Sequence, residues 1–290
     1  MSRFARDWLK LRESADLAAR DAGLARRFAA ALPRPQDRPL RLVDLGAGTG
    51  ANCRALLQRI GGDQDWLLVD SDRDLIAAQA EEFTLWARRQ GFPIAAGGGR
   101  MVITSGAARW SIASVPLDLA HHDAIAALAP DAMTAAALFD LVSEAWLTRL
   151  VALLAAAHSP LLAALTVDGR RRWEPALAED ARVASAFARH QSRDKGIGGP
   201  ALGAAAAARM AALFAAPGFD VAEVESDWRL EARDRALLCD LIAGEARAAR
   251  EAAPTEAAAI GRWERERLRH LEEGILRLTV GHRDTLALPG

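Results

Sequence analysis

Apolar residues along this chain alternate between two periods, one suited to helices and one to strands. Phe4, Trp8, Leu11 and Ala15 recur at helical spacing and predict an N-terminal helix over 4–31, ended by Pro33, Pro35 and Pro39. Short apolar runs then predict strands at Leu40–Leu45 and Trp66–Val69, with a helix over 50–60 between them closed by Gly61-Gly62. Ser71 or Asp72 is placed to cap a long helix reaching Gln90. Beyond a flexible break at Gly97-Gly98-Gly99, Met101–Thr104 and Trp110–Val115 predict a hairpin whose second arm becomes the third main strand, ending near Asp118. A fourth strand at Met133–Leu138, a helix over 145–157 and a fifth strand at Leu161–Val167 follow. A helix over 201–215, a sixth strand at Phe219–Trp228, two helices over 233–252 and 256–273, and a last strand at Leu276–Ala287 complete the reading. Helices alternating with apolar strands imply a doubly wound, mostly parallel α/β sheet within one domain over 1–290. Its parts are an N-terminal helical segment to residue 39, a ligand-binding core over 40–167 and a substrate-side segment over 168–290.

The first strand runs through Asp44 into Gly46-Ala47-Gly48-Thr49-Gly50 and then a helix. Glycines lack a Cβ, so such a loop turns tightly and approaches a ligand closely, while the next helix offers free N–H groups. Three alternating glycines cost stability in a turn that holds nothing. Asp70, followed by Ser71, ends the second strand, where a carboxylate accepts from ribose hydroxyls; its bland alternative is a helix cap. Gly46-x-Gly48-x-x-Ala51 with Asp70 downstream also fits a permissive dinucleotide fingerprint. Asp44 separates the two readings: a carboxylate before the first glycine suits a ligand carrying an ammonium and a sulfonium, and sits badly beside a pyrophosphate.

Residues 41–50 resemble the first motif of the class I S-adenosylmethionine (SAM) dependent methyltransferases, two hydrophobic residues followed by Asp-x-Gly-x-Gly-x-Gly. The resemblance implies a seven-stranded sheet whose last strand is antiparallel and forms a hairpin with the sixth, making 232–275 a helical insertion. It implies SAM as cofactor, held by Asp44, Gly46, Ala47, Gly48, Gly50, Asp70 and Ser71. It further implies adenine contacts from Asp118 and Leu119 at the third strand tip, and a contact to the cofactor's carboxylate from Asn52 or, more weakly, Arg12. Phe139, at the fourth strand exit, either presses on the cofactor as a cation–π partner or belongs to the core; Asp140 is read as the start of the next helix. No Asn/Asp-Pro-Pro-Tyr/Phe follows that strand, which argues against methylation of base or glutamine amino nitrogens. The reaction implied is in-line displacement by an oxygen, nitrogen or carbon nucleophile of a small-molecule acceptor. Two other readings stay open: a SAM-binding sensor or partner module without catalysis, and a nicotinamide-dependent oxidoreductase, whose Tyr-x-x-x-Lys version a chain without tyrosine excludes.

The segment 168–200 is polar, glycine-rich and placed after the fifth strand, so it is either a substrate lid or a solvated helix with an exposed loop. His190 within it is the first candidate for a catalytic base, with Glu144 and Asp168 behind it. His121-His122 lacks the further ligands a metal would need, and no metal is expected. A net charge of −1 gives no basic field for nucleic acid. Cys53 and Cys239 stand far apart, and no run is apolar enough to span a bilayer, so a reducing cytoplasmic setting without membrane attachment is expected.

Overall fold

In the computed structural model, which describes residues 6–290, the sheet has ten strands. Phe4 lies outside the described residues. Helices α1 (Arg6–Ala19) and α2 (Ala22–Ala31) lead into β1 (Leu40–Leu45), α3 (Ala51–Ile60), β2 (Gln64–Asp70), α4 (Arg73–Gln90), β3 (Ile94–Gly97), β4 (Arg100–Ser105) and β5 (Ala108–Pro116). The second half comprises α5 (His122–Ala126), β6 (Ala132–Ala136), α6 (Glu144–Ala156), β7 (Leu161–Glu174), α7 (Asp180–Gln191), α8 (Ala206–Ala215), β8 (Asp220–Glu225), β9 (Trp228–Leu230), α9 (Arg235–Ala252), α10 (Ala257–Glu272) and β10 (Arg277–Leu288). The order is β3-β4-β5-β2-β1-β6-β7-β10-β8, with β9 pairing alongside β10. Strands β5, β2, β1, β6 and β7 run parallel, and β10 is antiparallel to both β7 and β8. The seven strands from β5 to β8 therefore have the order and polarity expected of the class I methyltransferase fold, and α9 and α10 form the expected insertion before the last strand.

Strand alternation divides the core in two. Leu40, Leu42, Trp66 and Leu68 face α2, α3 and α4, whereas Val43, Leu45, Val69, Met133 and Ala163 face α6 and α8. A third cluster, which includes Trp173, Leu238, Ile242 and Trp263, unites α7, α9 and α10, and Trp8 and Leu11 of α1 pack against it.

Four local departures from the sequence reading have identifiable causes. The N-terminal helix is two helices, because the Asp21 carboxylate caps α2 through the Leu24 N–H (2.6 Å) and its own N–H donates to buried Asp284 (2.8 Å). Gly97-Gly98-Gly99 is a tight hairpin in which Gly98 and Gly99 take φ of +58° and +73° between paired Gly97 and Arg100, so one more strand precedes the predicted pair. The fifth strand runs on to Glu174, since β10 pairs with it as far as Arg277, and 168–174 is sheet edge instead of loop. The predicted sixth strand divides at Ser226-Asp227 into β8 and β9. Among the described residues no helix is long and apolar enough to cross a membrane.

Candidate functional site

The strand order reverses its progress across the sheet at β1, whose parallel neighbours β2 and β6 are reached by crossovers to opposite sides, and open α/β sheets bind ligands outside the carboxyl ends of strands at such a point. A cavity of about 490 Å³ lies there. Its floor is the loop Gly46–Asn52; Asp70, Ser71, Asp72, Leu75 and Leu119 line the β2–β5 end, and Ala136, Ala137, Leu138 and Leu141 the β6 end. Helix α1 and the residue just after it roof it with Leu9, Arg12, Asp16 and Arg20, and the loop after α7 contributes Lys195 and Ile197.

The glycine loop is held by side chains from three other elements. Asp70 accepts from the Gly48 N–H (2.7 Å) with one oxygen and the Asp72 N–H (2.9 Å) with the other. Gln79 of α4 donates to the Gly48 carbonyl (2.7 Å), and buried Arg54 donates to the Thr49 carbonyl (2.7 Å) while pairing with Glu13 of α1 (2.8 Å). Gly50 takes φ +85°, and a Cβ there would overlap the Phe83 ring, so no other residue fits without displacing α4. The loop is thus rigid before any ligand arrives, which saves ordering entropy on binding.

Of the residues named from sequence, the cavity gathers Gly46, Ala47, Gly48, Asn52, Asp70, Ser71, Leu119 and Arg12. Asp44 lies beneath it, fully buried, accepting from Asn52 Nδ2 (2.5 Å) and Thr134 Oγ1 (2.7 Å) with one oxygen while the other has no partner. Asn52 in turn accepts from Arg20 Nη1 (2.6 Å), so a chain of hydrogen bonds joins the roof to Asp44. Burial pushes the Asp44 carboxyl up to about 6, against the pull of its two donors and of Arg20. A pKa raised by folding means that ionised Asp44 costs stability above about pH 6, a cost that disappears as pH falls toward 3.8. Asp44→Asn is therefore expected to stabilise the fold at pH 8 by about 1–2 kcal/mol and to leave it unchanged near pH 4, because the amide nitrogen replacing the unpartnered oxygen also lacks a partner. Denaturant titrations at the two pH values check this, and equal shifts at both would show that ionisation is not the cause.

Other residues named from sequence stand outside the cavity, among them Gly50, which packs against Phe83 behind the loop. Phe139 is buried in the core against Trp146 (ring centroids 6.4 Å apart), because Ala137 at φ +51° ends β6 and leaves Leu138 to cover Gly46. Asp118 does not line the cavity; its carboxylate accepts from the Ala120 N–H (3.0 Å) in its own turn. His190 faces α9, its Nε2 3.1 Å from Glu251, since α7 packs along that helix, and it does not line the cavity. Neither reserve candidate for a base reaches the cavity: Glu144 pairs with Arg209 at the start of α6, and Asp168 is tied to Arg170 and Arg283 on the sheet edge. His122 stacks on Trp146 with its Nε2 3.0 Å from that residue's carbonyl oxygen.

Sequence reasoning missed Asp16, Arg20, Gln79 and Lys195. Spacing offers no signal for Arg20 and Gln79, which act across long sequence separations, and for Asp16 it shows only an i,i+4 pair with Arg12. Lys195 did carry one: Lys10 and Lys195 are the only lysines in a chain whose other cations are all arginine.

Strand order, cavity position and glycine loop together define a doubly wound α/β protein with a cavity at the carboxyl ends of its parallel strands. No protein-family model matches the chain, and no curated protein matches it. Among solved structures it is similar to the cyclopropane synthase MmaA2 from Mycobacterium tuberculosis, with 12% identity over 98% of this chain and 94% of that one, at a TM-score of 0.46. It is similar also to SAM-dependent methyltransferases in complex with S-adenosyl-L-homocysteine from Thiobacillus denitrificans (15% identity, 99% and 100% covered, TM-score 0.42) and Geobacter sulfurreducens (15%, 100% and 100%, 0.43). At such scores the overlap is partial, and the fold is defined instead by the chain's own strand order.

Proposed function

We propose that the protein is a SAM-dependent methyltransferase acting on a small-molecule acceptor. The observation that carries this reading is the charge pattern around the glycine loop. At the loop itself Asp70 occupies the Gly48 N–H (2.7 Å) and Asp44 lies beneath, which disfavours a pyrophosphate there even though Arg12, Arg73 and Lys195 also line the cavity, whereas Arg20 near Asp16 matches the carboxylate and ammonium of an amino-acid head group. The residues fit the cofactor. The loop carbons of Gly46 and Gly48 approach Leu138 and Leu9 so closely that a Cβ at either would stand 3.1 Å from a side-chain carbon, leaving an open cradle only for glycine. Asp70 keeps lone pairs beyond its two backbone bonds for ribose hydroxyls, and Leu75 and Leu119 offer apolar surface for an adenine.

When bound, SAM supplies an electrophilic methyl group. The chain's own contribution is alignment: the side-chain braces fix the loop, Arg20 with Asn52 orients the amino-acid end, and Leu138, Leu141 and Ile197 exclude water at the β6 end. Calorimetry tests the cofactor. Low-micromolar binding of S-adenosylhomocysteine with no binding of NAD is expected, and Arg20→Met should weaken it about tenfold by removing one charge-assisted bond. Preference for NAD would overturn the reading.

A further inference from the structure

Apart from Arg73, which sits exposed beside Asp72, the cavity holds two cations that no carboxylate engages at ion-pair distance among the described residues, and they stand at different places. Arg12 is paired with Asp16 through its Nε and Nη2 (2.9 and 3.2 Å). Arg20 reaches only Asn52, above the glycine loop, where the amino-acid end of the cofactor would lie. Lys195 is the second. Its Nζ is 3.4 Å from the His190 carbonyl oxygen, a long contact to a neutral group.

The placement of Lys195 is fixed by the segment that carries it. Residues 194–203 are fastened to the loop leaving β6: the Ser143 N–H donates to the Ile197 carbonyl (3.1 Å), the Leu202 N–H to Val142 (2.8 Å) and the Gly203 N–H to Asp140 (2.9 Å). Gly198, at φ +80°, fits against Ser143 and Trp146 where a Cβ would have no room. Segment 192–205 is therefore a docked wall of the cavity. It covers the β6 end, where Gly198 packs on Trp146 and the Trp146 Nε1 donates to the Leu119 carbonyl (2.5 Å), and it brings Lys195 and Ile197 to the cavity.

We propose that Lys195 seats an anionic group, a carboxylate, on the methyl acceptor, so that the substrates are small organic acids. This rests on the cofactor reading above. Burial and Arg193 pull the Lys195 pKa down while Asp140 opposes them, the behaviour of an ammonium short of counter-charge, which an incoming carboxylate supplies. Asp140 acts on Lys195 only from a distance: among the described residues it makes no ion pair or hydrogen bond with Lys195, and it does not line the cavity. A lysine is also the exception in this composition, which uses arginine for nearly every cation. A compact ammonium on a flexible stem accommodates a carboxylate without imposing the bidentate fork of a guanidinium.

The test uses the full chain saturated with S-adenosylhomocysteine, with benzoate and hexanoate as probes and benzamide and hexanamide as their neutral partners, followed by ligand-observed NMR. At least one acid should bind about tenfold or more tightly than its amide. Lys195→Met should abolish that preference, Lys195→Arg should restore most of it, and S-adenosylhomocysteine affinity should be unchanged in both variants. Equal binding of acids and amides, no binding of either acid, or discrimination that survives in Lys195→Met would overturn the proposal. Failure of the unmodified protein to bind S-adenosylhomocysteine would instead remove the cofactor reading on which it rests.

Discussion

Replacing Asp70 with alanine is expected to lower the affinity for S-adenosylhomocysteine by about thirtyfold to a thousandfold, or about 2–4 kcal/mol, while the protein remains folded. The loss has two sources. The ribose loses charge-assisted acceptors, each worth about 1.5–3 kcal/mol. The Gly48 and Asp72 N–H groups also lose the carboxylate that now bridges them at 2.7 and 2.9 Å, so the loop becomes less ordered before binding. The Asp72 N–H is only part-buried, so the cost to folding stays smaller than the cost to binding. Asp70→Asn separates the contributions, because its single carbonyl oxygen can keep the Gly48 bond while giving up the second acceptor; an intermediate affinity is expected. Calorimetry with near-ultraviolet circular dichroism as a folding control decides the matter, and wild-type affinity in Asp70→Ala would remove Asp70 from the ligand site.

The second large effect concerns stability far from the cavity. Arg267 of α10 is wholly buried, its guanidinium set between Trp173 and Trp263 at 5.2 and 5.8 Å from the ring centroids. It donates to the Pro175 carbonyl and to Asp180, the first residue of α7, which also accepts from Trp263 Nε1 (2.8 Å). Removing a buried cation from such a set strands its acceptors and opens a gap between two indoles, together costing about 3–5 kcal/mol. Asp180 is part-exposed, so water recovers some of that cost and the lower half of the range is expected. Arg267→Ala should shift the denaturation midpoint accordingly. Arg267→Met fills the gap without the donors and should recover only part of the loss. A loss below about 1 kcal/mol in the alanine variant would show that α10 docks through its apolar face alone.

The two predictions mark where sequence was readable and where it was not. Asp70 was legible because strand, glycine loop and strand-tip carboxylate lie within one βαβ unit, and local chain geometry brings them together. The sheet's parallel order was legible for a related reason, since alternation of strands and helices leaves few right-handed ways to wind a sheet. Arg267 carries no such local signal, being one of four arginines at positions 262–269. Its burial between two tryptophans depends on α10 lying against α7 and β7, which no local pattern specifies.

His190 failed for a related reason. Its chemistry suits a base, but α7 turns it to Glu251, and five residues later Lys195 reaches the cavity instead. Asp44 is expected from sequence to meet the ligand, yet strand alternation buries it beneath the glycine loop, where hydrogen bonds through Asn52 join it to Arg20 at the cavity.

The sequence by itself determined the doubly wound class, the glycine loop at the first strand and the acidic residue at the second strand tip, because each follows from periodicity or steric freedom within about thirty residues. Tertiary structure alone decided which side chains meet across the cavity. Asp16 and Arg20 arrive from the N-terminal helical segment, Gln79 from α4 and Lys195 from a loop fastened to the β6 exit, since these contacts are set by how helices and loops pack on the finished sheet.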